Sequence, residues 1–589
     1  MSVQKACASL RAVLCGAVIC LLPFGSAVAA EAGGPGSGPE VQAETAALPS
    51  LGAAQPTAMP EILSRADALR YRRIFDLQGD GRWDEADRLI ARLADQRLMG
   101  HVLFQRYMHP TAYRSEYSEL RNWLAQYADQ PGAHRIHRLA LQRKPSGAPD
   151  PRAPRRSSGF RVDLSAAPAT EIETADHSPL MTVSASTPTA QDSEGLPAFT
   201  VGRGTAGSWI LPGDRERAQD VSDKAAELAT AQAPQQHWNK GLEAWRRGET
   251  EAAAAYFQAI VIDDQASGWI RSAGAYWAAR AALRLGQPQE MSRWLREALS
   301  EPRSFYGLLA QQALGTAPAF DFTEVAYDPK AMNRLLGQPA VKRALALAQA
   351  GQPSRAADEI ESLGGTFNYR EAEALLALID RAGLPAKAFD LASRMEQIVG
   401  ANNGLGTLDV GLFPLPPWEP NGGFTLDRAL LYALMRQESA FDPTARSPMG
   451  ASGLMQLMPR TASYVSGDNS LAGANRHLLL DPAFNLELAQ RYVSYLLEYD
   501  GVDNNLLHLA VAYNAGPGNL QRWLASMESA GVDTNDPLLF IESLPSAETR
   551  SFIRRVLTNF WIYRLRLEQP TPSLATLAAG EWPYYEALD

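Results

Sequence analysis

Cysteine is nearly missing from this chain. Its three cysteines, Cys7, Cys15 and Cys20, all fall within the first 20 residues, so the sequence beyond them offers no disulfide and no thiol nucleophile. Histidine is scarce at 8 residues, and no His/Cys/Asp/Glu cluster stands at metal-ligand spacing. A glycine-rich phosphate loop is absent, and no serine sits in a nucleophile elbow with a histidine partner. His477 and His508 are isolated and read as structural. No metal or other cofactor is expected. A formal charge of −10 leaves no global basic field, so nucleic acid is not an expected partner. The basic cluster from Arg135 to Arg156 reads as a solvated charge run. Nor is a stable membrane span expected, since the apolar run Ala12 to Phe24 is too short. With Lys5 and Arg11 before it and Ala27-Val28-Ala29-Ala30 after it, that run reads as a secretory signal peptide over residues 1–30.

What is present is helical periodicity. Residues 31–60, rich in Ala, Gly, Pro and Glu, read as a disordered leader. Residues 61–143 carry apolar residues at helical spacing, with Gly81-Arg82-Trp83-Asp84 as the turn of a helical hairpin. The Pro/Ala/Ser-rich residues 144–235 read as a linker or disordered insert. From 236 to 403 a small-and-aromatic pattern recurs around Gly248, Gly286-Gln287-Pro288, Ala350-Gly351-Gln352-Pro353 and Ala382-Gly383-Leu384-Pro385. This pattern predicts an α-superhelical solenoid resembling tetratricopeptide-type repeats; an ordinary helical domain with incidental glycine turns is the alternative. Pro414, Pro416, Pro417 and Pro420 place a linker over 404–423. A last domain over 424–570 and a C-terminal tail over 571–589 complete an expected all-α chain.

The last domain holds the candidate chemistry. Leu426, Leu430, Ala433, Leu434 and Gln437 recur at helical spacing after Thr425, and Pro443 marks a stop. The spacing predicts a helix over 426–439 with Thr425 as its N-cap. Glu438 lies on the same face as Leu430, Leu431 and Leu434, so its carboxyl faces apolar surroundings. Desolvation raises a carboxyl pKa and keeps the proton a general acid needs. The alternative is a helix-end glutamate turned to solvent. Downstream, Gly450-Ala451-Ser452-Gly453-Leu454-Met455-Gln456-Leu457-Met458-Pro459 lets backbone approach a ligand or a neighbouring helix closely. Tyr513, in Ala512-Tyr513-Asn514-Ala515-Gly516, closes a helix, where a buried tyrosine commonly just satisfies its hydroxyl structurally, and Glu542 offers a second carboxylate that could equally be a solvated or paired charge.

Together with Glu438-Ser439-Ala440-Phe441-Asp442-Pro443 and Glu542-Ser543-Leu544-Pro545, these ordered blocks resemble the soluble lytic murein transglycosylases. The resemblance implies a lysozyme-like, mainly helical catalytic domain behind a superhelix. It implies non-hydrolytic cleavage of the β-1,4 MurNAc-GlcNAc bond of peptidoglycan, leaving 1,6-anhydroMurNAc ends, with Glu438 as acid and then base. Ser447, Gln456, Met458, Tyr513 and Glu542 would line the glycan groove; Asp442, a tempting second carboxylate, fits a turn-forming aspartate better by its position before Pro443. Peptidoglycan glycan strands are then the expected partner, cell-wall proteins could bind the repeats, and the location would be periplasmic. A hydrolytic muramidase and a non-catalytic cell-wall scaffold are the competing functions.

Overall fold

The computed structural model describes residues 60–155, 159–163, 212–229, 233–323, 325, 327–399 and 408–589. The expected signal peptide, almost all of the leader and the middle of the 144–235 stretch lie outside them. Among the described residues the chain is all-α apart from one pair of four-residue strands, and no helix is long and apolar enough to cross a membrane.

Turn chemistry builds the repeats. Gly248, Gly286, Gly351 and Gly383 have φ of 74, 72, 70 and 66°, a left-handed conformation that costs a glycine little. After each, a main-chain N–H reaches back over the helix end: Glu249 to Ala244, Gln287 to Ala282, Gln352 to Leu347 and Leu384 to Ile379. Pro288, Pro353 and Pro385 then open the following helices. A glycine-closed end followed by a proline-started helix turns the chain sharply. Helices 234–246, 250–262 and 268–284 pack in series, and their core is aromatic. Trp277 contacts Trp245 at 5.2 Å, Phe257 at 5.5 Å and Trp238 at 6.1 Å between ring centroids.

The N-terminal hairpins join this array through buried charge. Glu359, with no exposed surface, accepts from both Nε and Nη2 of Arg343 at 2.7 and 2.9 Å. Nε2 of His101 lies 2.7 Å from the same carboxylate.

Two parts of the stretch expected to be linker or disordered are structured. Phe160–Asp163 pairs in parallel with Gly365–Asn368, and the Phe160 and Phe367 rings meet at 5.3 Å. Helix Pro212–Ala229 buries Val221 and Ala225 and packs on Thr250–Ile262. Both need a distant partner to bury a few apolar side chains, so local composition does not reveal them. The expected linker over 404–423 is likewise packed where described: Leu408, Val410, Leu412 and Phe413 are buried, and Asp409 binds Arg303 at 2.6 Å.

The C-terminal region is organised on the 20-residue helix Ala547–Arg566, whose Phe552, Ile553, Val556, Phe560 and Trp561 are buried. It packs against helix Arg428–Ser439, which carries Glu438. The expected tail is packed too. Its helix Pro572–Ala578 lies on helix Phe305–Leu314 of the array, and Asp589 pairs with Arg428 at 2.9 Å.

Candidate active site

The glutamate helix starts at Arg428, two residues later than its spacing predicts, and its N-cap is Asp427 rather than Thr425. One Asp427 oxygen accepts the Ala429 N–H at 2.9 Å, and the other takes Nη2 of buried Arg564 at 2.9 Å. The Thr425 N–H instead donates to Gln490. A tertiary ion pair thus selects the aspartate, which local capping rules cannot foresee. The far end is equally constrained. Ala440 and Phe441 both have positive φ, 48 and 66°, a conformation costly to non-glycine residues. It is held by full burial of Phe441, whose ring meets Phe389 of the repeats at 6.3 Å. Arg436, two residues before Glu438, donates to the Leu412 carbonyl at 2.8 Å and to Asn559 at 2.7 Å. Its guanidinium lies 4.3 Å above the Phe413 ring and 4.7 Å above that of Phe389.

These anchors hold Glu438 at the end of a rigid helix, partly buried. Burial pushes its carboxyl up to about 7, and the nearby Glu548 carboxylate adds to the shift. The group therefore keeps a proton near neutral pH and can give it up to an arriving base, as acid–base catalysis requires. Asp442 is different. Its Oδ1 accepts from the N–H and hydroxyl of Thr444 at 2.8 and 2.7 Å, which closes the turn after the helix.

The glycine-rich loop is clamped by one buried side chain. Asn485, with no exposed surface, accepts the Met455 N–H at 2.9 Å and donates to the carbonyls of Ser452 and Leu479 at 3.0 and 2.9 Å. Gly453 makes the clamp feasible, since a Cβ there would lie 2.2 Å from the Leu479 carbonyl oxygen and 2.4 Å from the Asn485 amide. Ser447 accepts the Ala451 N–H at 3.0 Å. Gln456, at φ 45°, donates to the carbonyls of Gly453 and Ala445 at 2.9 and 3.2 Å. Met458 is 40% exposed at the head of helix Pro459–Ser466. Tyr513 donates from its hydroxyl to the Met455 carbonyl at 2.9 Å. Burial and the neighbouring Glu438 both hold its phenol well above the ordinary range.

Five of the six residues singled out in the sequence thus belong to the glutamate helix, the loop that Asn485 braces, or Tyr513 beside them. Glu542 stands apart. It is 5% exposed and accepts from Arg554 at 2.5 Å and from the Tyr306 hydroxyl at 2.9 Å. Its carboxylate therefore ties the C-terminal region to the repeats, with Arg246 of the repeats donating to its main-chain carbonyl. Asn485 and Glu548 were not singled out. An asparagine beside a helix start reads as ordinary polar surface, and the effect of Glu548 on Glu438 depends on the packing of two helices distant in sequence.

Residues 419–534 match the family described as the transglycosylase SLT domain. This part of the chain is thus similar to that family. The SLT match includes Glu438, Ser447, Gln456, Met458 and Tyr513 and stops before Glu542 and Glu548. Over 162 residues the chain is 38% identical to the soluble lytic murein transglycosylase of Escherichia coli K12, covering 27% of this chain and 24% of that protein. Against the soluble lytic murein transglycosylase of Salmonella typhimurium it is 31% identical over 319 residues, 52% of this chain and 45% of the relative. Each match thus spans less than half of the relative's length. Among solved structures, the 70 kDa soluble lytic transglycosylase of Escherichia coli is similar with a TM-score of 0.44 and 24% identity, over 64% of this chain and 57% of that one.

Proposed function

We propose that the SLT domain cleaves the β-1,4 bond between MurNAc and GlcNAc in peptidoglycan without water. The observation that carries this reading is the Glu438 carboxyl, raised to about 7 on a rigid helix end within the SLT match. Glu438 protonates the glycosidic oxygen as the C1–O4 bond breaks, so the departing sugar leaves with a free 4-hydroxyl. The carboxylate then takes the proton of the muramoyl C6 hydroxyl while that oxygen bonds to C1, which closes a 1,6-anhydro ring and restores the acid. The nucleophile belongs to the substrate, so its effective concentration is high. The substrate's 2-acetamido group can stabilise the positive charge at C1, which makes a carboxylate pair unnecessary. Ser447, Gln456, Met458 and Tyr513 line the glycan groove in this reading. Residues 1–30 would export the chain to the periplasm, where its substrate lies.

Digestion of isolated peptidoglycan tests the chemistry. Mass spectrometry is expected to show anhydro ends, and reducing ends heavier by one water would make the enzyme a hydrolase. Glu438→Gln is expected to abolish cleavage with its circular dichroism unchanged. If that variant cleaved like the wild type, Glu438 would not be the acid.

A further inference from the structure

Helix Pro482–Leu497 and its exit carry Tyr492, Tyr495 and Tyr499 at spacings of three and four residues, which places them along one face. All three are partly exposed. Tyr513, whose phenol is raised by burial and then by the nearby Glu438, meets Tyr492 at 5.7 Å between ring centroids. Tyr492 meets Tyr495 at 6.4 Å with the rings 18° apart, and Tyr495 meets Tyr464 at 5.5 Å and Tyr499 at 5.8 Å. Tyr464 lies on the helix that Met458 heads, and it is 67% exposed. A hydrogen bond between the Tyr464 and Tyr495 side chains leads the causes that push the Tyr495 phenol up to about 12.

This row is costly to leave in water. Exposed large aromatics are common singly, but a contiguous row that leads away from the candidate site marks an interaction surface. The rings also suit one ligand chemistry. Tyrosine offers a flat apolar face together with a hydroxyl at its edge, which matches the axial C–H groups and peripheral hydroxyls of a pyranose. No charged side chain is needed for such a contact, so the row favours a saccharide over an anionic or cationic ligand. It is continuous with the candidate site through Tyr513, so its occupant is the same strand.

We propose that Tyr464 and Tyr495, reached from Tyr513 through Tyr492, form an outer saccharide-binding platform that holds sugars of the glycan strand beyond the bond being cleaved. This rests on the reading of the SLT domain as a glycan-cleaving site. The platform contributes binding that long strands use and short fragments do not, so it acts on KM and on the preference for chain length and leaves the chemical step alone.

The test uses the full chain carrying Glu438→Gln, so that glycan is bound without turnover, with calorimetric titration of long peptide-free glycan strands and of a tetrasaccharide. Tyr464→Ala is expected to weaken long-strand binding about fivefold, in line with a single aromatic contact, and to leave tetrasaccharide binding unchanged. Tyr464→Phe, which keeps the ring face, is expected to retain most of the affinity. Tyr495→Ala in the otherwise native enzyme is expected to raise KM on long strands with kcat unaltered. Unchanged long-strand affinity in Tyr464→Ala would overturn the platform while leaving the cleavage reading intact, and so would equal weakening toward both ligands. Failure of Glu438→Gln to bind either glycan would overturn the cleavage reading itself.

Discussion

At the scale of the residue, Glu438 is governed by its surroundings. A carboxyl raised to about 7 by burial is protonated in the folded state and ionised in the unfolded state across the interval from about 4.5 to 7. In that interval the native state binds more protons, so folding stability falls as pH rises through it. Glu438→Gln removes this penalty. Its melting temperature is expected to match the wild type near pH 4 and to exceed it near pH 8, by an amount equivalent to about 1–2 kcal/mol after allowance for partial exposure. Equal melting temperatures at both pH values would refute the desolvation argument. Activity carries the same signature. In the proposed mechanism the acid form of Glu438 is needed first, so kcat/KM is expected to fall above pH 7. Glu548 contributes to the raised value, so Glu548→Gln is expected to move that alkaline limb toward lower pH. An unmoved limb would show that the Glu548 charge does not reach the site.

At the scale of the element, the loop 450–459 shows why a motif has the length it has. Gly453 lets the chain pass close to the Leu479 carbonyl, and Asn485 binds that carbonyl together with two main-chain groups of the loop. Asn485→Ala would strand those groups in a buried place, at a cost of about 2–4 kcal/mol. The expected outcome is a lower denaturation midpoint and a larger loss of kcat/KM on glycan than Ser447→Ala produces. Full activity in Asn485→Ala would mean that the loop holds its shape without the clamp. The same scale explains what could be read in advance. The glycine turns at Gly286, Gly351 and Gly383 are legible because glycine at a left-handed helix end followed by proline is a local signal, and Gly248 gives the glycine half of it. The glutamate helix was visible for the same reason, through its apolar stripe and the proline after it. Its start was misplaced because Asp427 caps it while paired with Arg564, 137 positions away.

At the scale of the whole molecule, the repeats and the C-terminal region share buried contacts. Glu542 accepts from Arg554 and Tyr306, Arg280 pairs with Asp536 at 2.7 Å, and Phe305 stacks on Trp561 at 5.5 Å. The array therefore braces the end of the chain that carries the site. Glu542→Gln would leave Arg554 buried without its counter-charge, a cost of about 3–5 kcal/mol. The expected result is a clear drop in melting temperature, with kcat/KM retained at a temperature where the variant is folded. A selective loss of glycan binding without loss of stability would instead give Glu542 the groove role that the sequence resemblance implies.

Local physical chemistry alone determined the all-α class, the repeat turns, the glutamate helix with its carboxyl on the apolar face, and the turn made by Asp442. Each of these depends on residues within a few positions of one another. Tertiary structure decided the rest: the aspartate that caps the glutamate helix, the strand and helix within the 144–235 stretch, the burial of Glu542 and the joining of Tyr513 to Tyr464 in one aromatic row. Those features depend on groups tens to hundreds of residues apart meeting in a low-dielectric interior. There the energy of a charge or an aromatic face is set by what packs against it, and a neighbour in sequence carries no record of that partner.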